Sequence, residues 1–139
     1  MSGHILFVED DSDDVFLIQH AAKNAGLTQR LHFSANGKEA VEYLLPLVNS
    51  PALLPSLIFL DLNMPLMGGL EFLNWMRSQA ALQTIPVIIL TTSENPADIA
   101  AAYKAGANAF LVKPSVISEL ANMLIRATTL WLKDNGPMS

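Results

Sequence analysis

The sequence has no cysteine and little charge of either sign: 15% of its 139 residues are Asp, Glu, Lys or Arg. Without cysteine, a disulfide scaffold and a thiolate zinc site are excluded, and nothing in the chain demands an oxidising compartment. Basic residues number eight and are scattered, which argues against nucleic-acid binding, because neutralising phosphates takes clustered Lys and Arg. Apolar runs are far shorter than a membrane span, and the N-terminus lacks the basic and long apolar regions of a signal peptide. These absences predict a soluble cytoplasmic protein with no membrane or nucleic-acid partner. A 51% apolar content is too high for a disordered chain, and the length suits a single domain over residues 1–139.

Acidic residues are the exception to this sparseness. Thirteen acids against eight bases give a net charge of −5, and Glu9, Asp10, Asp11, Asp13 and Asp14 crowd into six positions. Setting those five aside leaves eight acids against eight bases, so the remainder is formally neutral. The cluster directly follows the apolar run Ile5 to Val8, which is no place for a solubilising tail.

Three further runs share that form: Leu57 to Leu60, Val87 to Leu90 and Ala109 to Val112. Each is apolar throughout, as suits a strand buried on both faces of a parallel sheet, and each is followed at once by a polar residue. A fifth stretch, Arg30 to Ala35, alternates more and reads as an edge strand. Helical patterns lie between the strands at Asp13 to Ala25, Gly37 to Leu47, Gly69 to Gln79, Ala97 to Ala105 and Val116 to Leu132. Gly26 and Gly106 stand where helices end, and Ser93 to Pro96 supplies breakers before the fourth helix. The stretch Pro46 to Pro55, with three prolines, reads as one long loop. The order is strand then helix, five times, which predicts an α/β fold with a doubly wound parallel sheet covered by helices on both faces.

In such a sheet all strands point one way, so the polar residues that follow them emerge along the carboxyl edge, where ligands bind. Glu9, Asp10, Asp61, Thr91 and Lys113 become one candidate site. At an effective dielectric of about 20, two carboxylates roughly 5 Å apart repel by about 3 kcal/mol. Raised carboxyl pKa values, pairing with Lys113 or a hard divalent cation would each offset this. An all-oxygen donor set favours Mg²⁺, which keeps coordination positions for phosphate oxygens. Phosphoryl chemistry follows, with a carboxylate nucleophile forming an aspartyl phosphate. Asp61 ends a central strand and leads into LNMPLMGG, a turn whose Asn63 carbonyl could reach a metal. Thr91 and Lys113 would then donate to phosphoryl oxygens. Thr92 and Ser93 beside Thr91 compete as simple helix caps. Lys113 precedes Pro114, and the sequence leaves that bond's isomer open.

Taken together, ILFVEDD, DLNMPLMGG, PVIILTTS and AFLVKP resemble the receiver domain of two-component response regulators, from Ile5 to about Leu132. The resemblance implies a flavodoxin-like (βα)5 fold with strand order 2-1-3-4-5. It implies Asp61 as phosphoacceptor, Glu9 and Asp10 as the acidic pair at the Mg²⁺, Asn63 as a main-chain ligand, Lys113 at the lysine position, and Thr91 with Phe110 as switch residues. EDDSDD, LTTSENPADI and Trp131 in the last helix resemble small stand-alone regulators paired with phytochrome-type histidine kinases. The partners implied are a sensor histidine kinase and a downstream protein, reached through protein contacts because no output domain follows; the chain is then not an enzyme in the ordinary sense. Met67 and Gly68 depart from the family pattern, where a basic and an acidic or amide residue are frequent.

Two other functions stay open on the residues alone. A Mg²⁺-dependent phosphatase or mutase also uses an Asp at a strand end, but usually has a second acid two residues on, where Asn63 stands here. A degenerate receiver used only for binding would not need the five site residues intact. Asp11, Asp13 and Asp14 read as a solvated helix start, and His4, His20 and His32 as structural or solvent-facing. The last helix carries more apolar residues than one face needs, Val116, Met123 and Leu130 among them. It is either deeply buried or part of a two-fold dimer contact through the fourth helix, fifth strand and fifth helix.

Overall fold

The computed structural model describes residues 3–132; the remainder of the expected 1–139 domain lies outside the described residues. Five parallel strands, β1 (Ile5–Val8), β2 (Leu31–Ser34), β3 (Leu57–Leu60), β4 (Val87–Thr91) and β5 (Ala109–Val112), lie in the order β2-β1-β3-β4-β5. They alternate with α1 (Ser12–Asn24), α2 (Gly37–Leu44), α3 (Gly69–Ser78), α4 (Pro96–Ala105) and α5 (Ile117–Trp131). The expected fold and strand order are those observed.

Side-chain alternation along the strands builds two cores. Leu6, Val8, Ile58, Leu60, Val87 and Ile89 pack against α2, α3 and α4. Ile5, Phe7, Leu57, Phe59, Ile88 and Leu90 pack against α1 and α5. Phe7 stacks on Phe59 and on Phe33 with ring centroids 4.8 and 5.1 Å apart, joining the three strands on that side. Each central strand is therefore apolar on both faces, which explains its unbroken hydrophobic run.

Differences from expectation are local. The apolar run of β5 predicts burial on both faces, yet β5 is the second edge strand, half-buried, with Val112 exposed. It has a single neighbour, so helices cover less of it. The loop from Pro46 to Pro55 contains structure: a 3-10 turn at Leu45–Leu47 shortens α2, and another spans Pro51–Leu53. Proline near the start of each turn removes a donor that the turn does not use. α5 is not deeply buried: Leu120, Ala121, Leu124 and Ala127 face the core, while Ile125 and Leu130 are exposed, as is Val116 just before the helix.

Arg77 of α3 ties the far end of the sheet together. Its guanidinium donates to the carbonyls of Gly106, Leu82, Gln83 and Ile85 and to Asn108 Oδ1, over 2.9 to 3.2 Å. These acceptors belong to the segments before β4 and β5, so one side chain holds two connections. We expect Arg77→Ala to lower unfolding free energy by about 2 kcal/mol. Arg77→Lys should recover only part of it, because an ammonium lacks the planar fork. Urea denaturation of the three proteins checks this.

Candidate functional site

At the carboxyl edge of the sheet, β1 delivers Glu9 and Asp10, and β3 delivers Asp61. One oxygen of each carboxylate lies within 4.8 Å of the others. Glu9 and Asp61 are buried and Asp10 is exposed. Lys113, following β5, reaches across: its Nζ is 2.6 Å from Glu9 Oε1, 2.7 Å from Asp14 Oδ2 and 3.7 Å from Asp61 Oδ2. The lysine side chain is 6% exposed, so these ion pairs are poorly screened. The Lys113–Pro114 bond is trans, as is every peptide bond among the described residues.

Each carboxylate is held differently. Glu9 uses one oxygen for Lys113 and accepts the Asp11 N–H at 3.1 Å with the other. Asp61 Oδ1 accepts the Leu62 N–H at 2.8 Å, which fixes the carboxylate and leaves Oδ2 toward Lys113. The backbone after Asp61 is packed tightly: Gly69 N–H donates to the Leu62 carbonyl, and a Cβ on Gly69 would collide with the Asp61 carbonyl oxygen. Asn63 is exposed two residues beyond Asp61.

Burial pushes the Glu9 carboxyl up to about 7, against the opposing hydrogen bonds from Lys113 and Asp11 and with the charge of Asp61 adding to the rise. For Lys113, burial acts to lower the pKa, but hydrogen bonds to Asp14 and Glu9 and the charge of Asp61 outweigh it and hold the amine above its ordinary value. The lysine is thus a fixed positive charge among four acids.

Thr91 is the last residue of β4, fully buried, and its hydroxyl has no hydrogen-bond partner among the described residues. A buried hydroxyl without a partner is costly and points to a missing acceptor. Ser93 and Asn95 perform the local turn work instead: Ser93 Oγ lies 2.6 Å from Asp98 Oδ2, and Asn95 Oδ1 accepts the Ala97 N–H at the start of α4. Phe110 is half-buried against the core under α2, α3 and α4 and pairs in register with Ile89, two residues before Thr91. Thr91 and Phe110 therefore share one face of the sheet.

Glu9, Asp10, Asp61 and Lys113 are brought together as expected, with Thr91 at the adjacent strand end. The acidic helix start needs correction. Asp11 caps α1, accepting the N–H groups of Asp13 and Asp14 at 2.8 and 3.3 Å. Asp14 does not simply face water; it belongs to the site through Lys113. It lies in the first turn of α1, close enough to the strand ends to reach Lys113, and spacing alone did not reveal that partner 99 residues away. His4 bonds the Tyr43 hydroxyl and His32 stacks on Tyr43, so both are structural.

The oxygen-only donor set and the orphaned Thr91 hydroxyl both fit a hard cation carrying phosphate oxygens. Asp10 and Asp61 have oxygens to offer it, with Glu9 behind them.

Over residues 5–125 the sequence matches the response regulator receiver domain. It is 35% identical to the response regulator Rcp1 of Synechocystis sp., over 93% of this chain and 88% of that protein. The fold superposes on the phosphorylated cyanobacterial phytochrome response regulator RcpA with a TM-score of 0.86 at 32% identity, covering 98% of both chains. The Mn²⁺-bound form of Rcp1 gives a TM-score of 0.80 at 34% identity, covering 96% of this chain and 97% of that one.

On a carboxyl raised to about 7, a proton competes with metal for the carboxylate. As pH falls through about 7, Glu9 gains a proton and loses its charge, so divalent-cation affinity should fall by up to roughly tenfold per unit below that point. Isothermal titration with Mg²⁺ between pH 8 and 6 measures it, and Glu9→Gln should flatten the dependence.

Proposed function

Since the chain belongs to the response regulator receiver family, we propose that it accepts a phosphoryl group onto Asp61 from a cytoplasmic sensor histidine kinase, in a Mg²⁺-dependent reaction. One arrangement carries this reading: the oxygens of Glu9, Asp10 and Asp61 within 4.8 Å of one another, with Lys113 Nζ 3.7 Å from Asp61 Oδ2. The kinase is proposed to be of phytochrome type, in keeping with the similarity to RcpA.

In the transfer, an Asp61 carboxylate oxygen forms a bond to phosphorus as the phosphorus–nitrogen bond to the donor imidazole breaks, and the imidazole leaves with that electron pair. Leu62 N–H holds Oδ1, so Oδ2 is the attacking atom. When bound, Mg²⁺ supplies positive charge to phosphoryl oxygens and to the acidic cluster; Asp10, Asp61 and the Asn63 carbonyl would hold it, backed by Glu9. Lys113 pairs with another phosphoryl oxygen. The phosphoryl group carries about −1.5 to −2 charge in place of the −1 of the free carboxylate, so the already acidic site gains up to about one further negative charge, displaced outward from Asp61, which draws Lys113 away from Asp14 and Glu9. Thr91, whose hydroxyl is unsatisfied, gains an acceptor in the phosphoryl group. Movement of Thr91 frees space on the face it shares with Phe110, and the pair carries the change to α4 and β5. Output runs through protein contacts on that side, where Tyr103, Val112 and Val116 are exposed; a two-fold contact through α4, β5 and α5 is one form.

Incubation with Mg²⁺ and an autophosphorylated phytochrome-type kinase, or with acetyl phosphate, should give an acid-stable, base-labile adduct that Asp61→Asn abolishes. An adduct persisting in that variant, or rapid turnover of a phosphorylated metabolite, would overturn the reading. Thr91→Ala should still be phosphorylated but lose the change in hydrogen exchange that phosphorylation produces at α4 and β5. Sedimentation with and without a phosphate mimic tests the two-fold contact, which a monomer in both states would exclude.

A further inference from the structure

Leu66 is the one non-glycine residue with positive φ among the described residues, at 68°, and it is 79% exposed. It sits at the centre of a γ-turn closed by the Met67 N–H donating to the Pro65 carbonyl at 2.8 Å. Such turns with a positive central φ are strained for any residue with a side chain. The strain cannot relax, because the loop is tied on both sides. The Met67 carbonyl accepts the Gly37 N–H at 3.0 Å, and Gly69 N–H donates to the Leu62 carbonyl at 3.0 Å. Glycine or asparagine would meet the backbone demand at lower cost. Leucine adds strain and exposes apolar surface, and at this exposure it gains little packing in return.

Its place gives it a use. The loop begins at Asp61 and folds back onto Leu62, so Leu66 lies on the rim formed by the acceptor's own loop, and the acceptor side chain is 11% exposed. A protein donor must cover that rim to bring phosphorus to Asp61. From Leu62 to Leu70 the sequence has no charged residue, so contact there is made by apolar surface, backbone and the exposed Asn63 amide rather than by ion pairs. We propose, resting on the phosphoacceptor reading, that Leu66 is a specificity-determining residue: an apolar knob that the fixed γ-turn presents to an apolar recess beside the donor's phosphohistidine. It acts in recognition of the protein donor and takes no part in bond formation at Asp61.

The two kinds of donor separate these roles, since acetyl phosphate is too small to touch the rim. In Leu66→Asn and Leu66→Gly, kcat/KM for transfer from the autophosphorylated phytochrome-type kinase should fall about tenfold, mostly through KM, as for loss of one buried leucine contact. Labelling by acetyl phosphate should be unchanged, and Leu66→Met, which keeps the apolar bulk, should retain most of the kinase rate. Unchanged transfer from the kinase in both variants would overturn the proposal. So would an equal loss with both donors, which would make Leu66 a positioning element of the acceptor loop. Absence of any Asp61 adduct in the unaltered protein, from either donor, would instead defeat the phosphoacceptor reading itself.

Discussion

Charge imbalance at the carboxyl edge of the sheet governs the rest of this structure. Parallel strands bring Glu9, Asp10 and Asp61 to one place, and α1 adds Asp14; against four acids stands Lys113. The lysine satisfies Glu9 and Asp14 at hydrogen-bond distance and stays farther from Asp61. Burial raises the Glu9 carboxyl, which lessens the repulsion without removing it. A site in this condition favours added positive charge, and on the proposed function it reorganises when negative charge arrives, its shared cation moving between partners. On that reading, the imbalance in the resting site is what makes it responsive.

That responsiveness depends on a rigid surrounding. Both faces of β1, β3 and β4 are covered by packed side chains, so the strand ends are fixed points from which the acids project. The backbone around Asp61 is fixed as well, by Leu62 N–H on its carboxylate and by the close approach of Gly69. Thr91 stands apart from this satisfaction: buried, at a strand end, with an unpaired hydroxyl. On the proposed function it is where a change at Asp61 is felt. Above it, α4 buries one residue, Ala102, and is held at its ends by Asn95 and by Gly106 under Arg77. A helix with so little buried surface costs little to displace, whereas the sheet beneath it does not yield.

The fold was legible because its signals are local and repeated. Unbroken apolar runs such as Leu57 to Leu60 mark strands covered on both faces, and each is followed by a helical pattern with a recognisable end. β5 misled because an apolar run alone does not say how many neighbours a strand has. The Pro46 to Pro55 stretch hid two short turns because proline marks both loops and the first residues of 3-10 turns. At the site, Glu9, Asp10, Asp61, Thr91 and Lys113 could be found from their place after strands. Asp14 and Arg77 could not: one looked like part of a solvated helix start, the other like an ordinary helix residue, and both owe their roles to partners distant in the chain.

Sequence by itself determined the element order, the two-faced sheet and the set of polar residues at its carboxyl edge, since these follow from hydrophobic period and from strand direction. Tertiary structure decided who bonds to whom. It assigned Lys113 between Glu9 and Asp14, left the Thr91 hydroxyl alone, and forced Leu66 outward on a strained turn. Those outcomes depend on distances between segments that are remote in sequence, and on ties such as Gly37 to Met67 that no local pattern encodes. Periodicity reports which face a residue occupies, but only packing sets the few ångströms that separate an ion pair from a free charge.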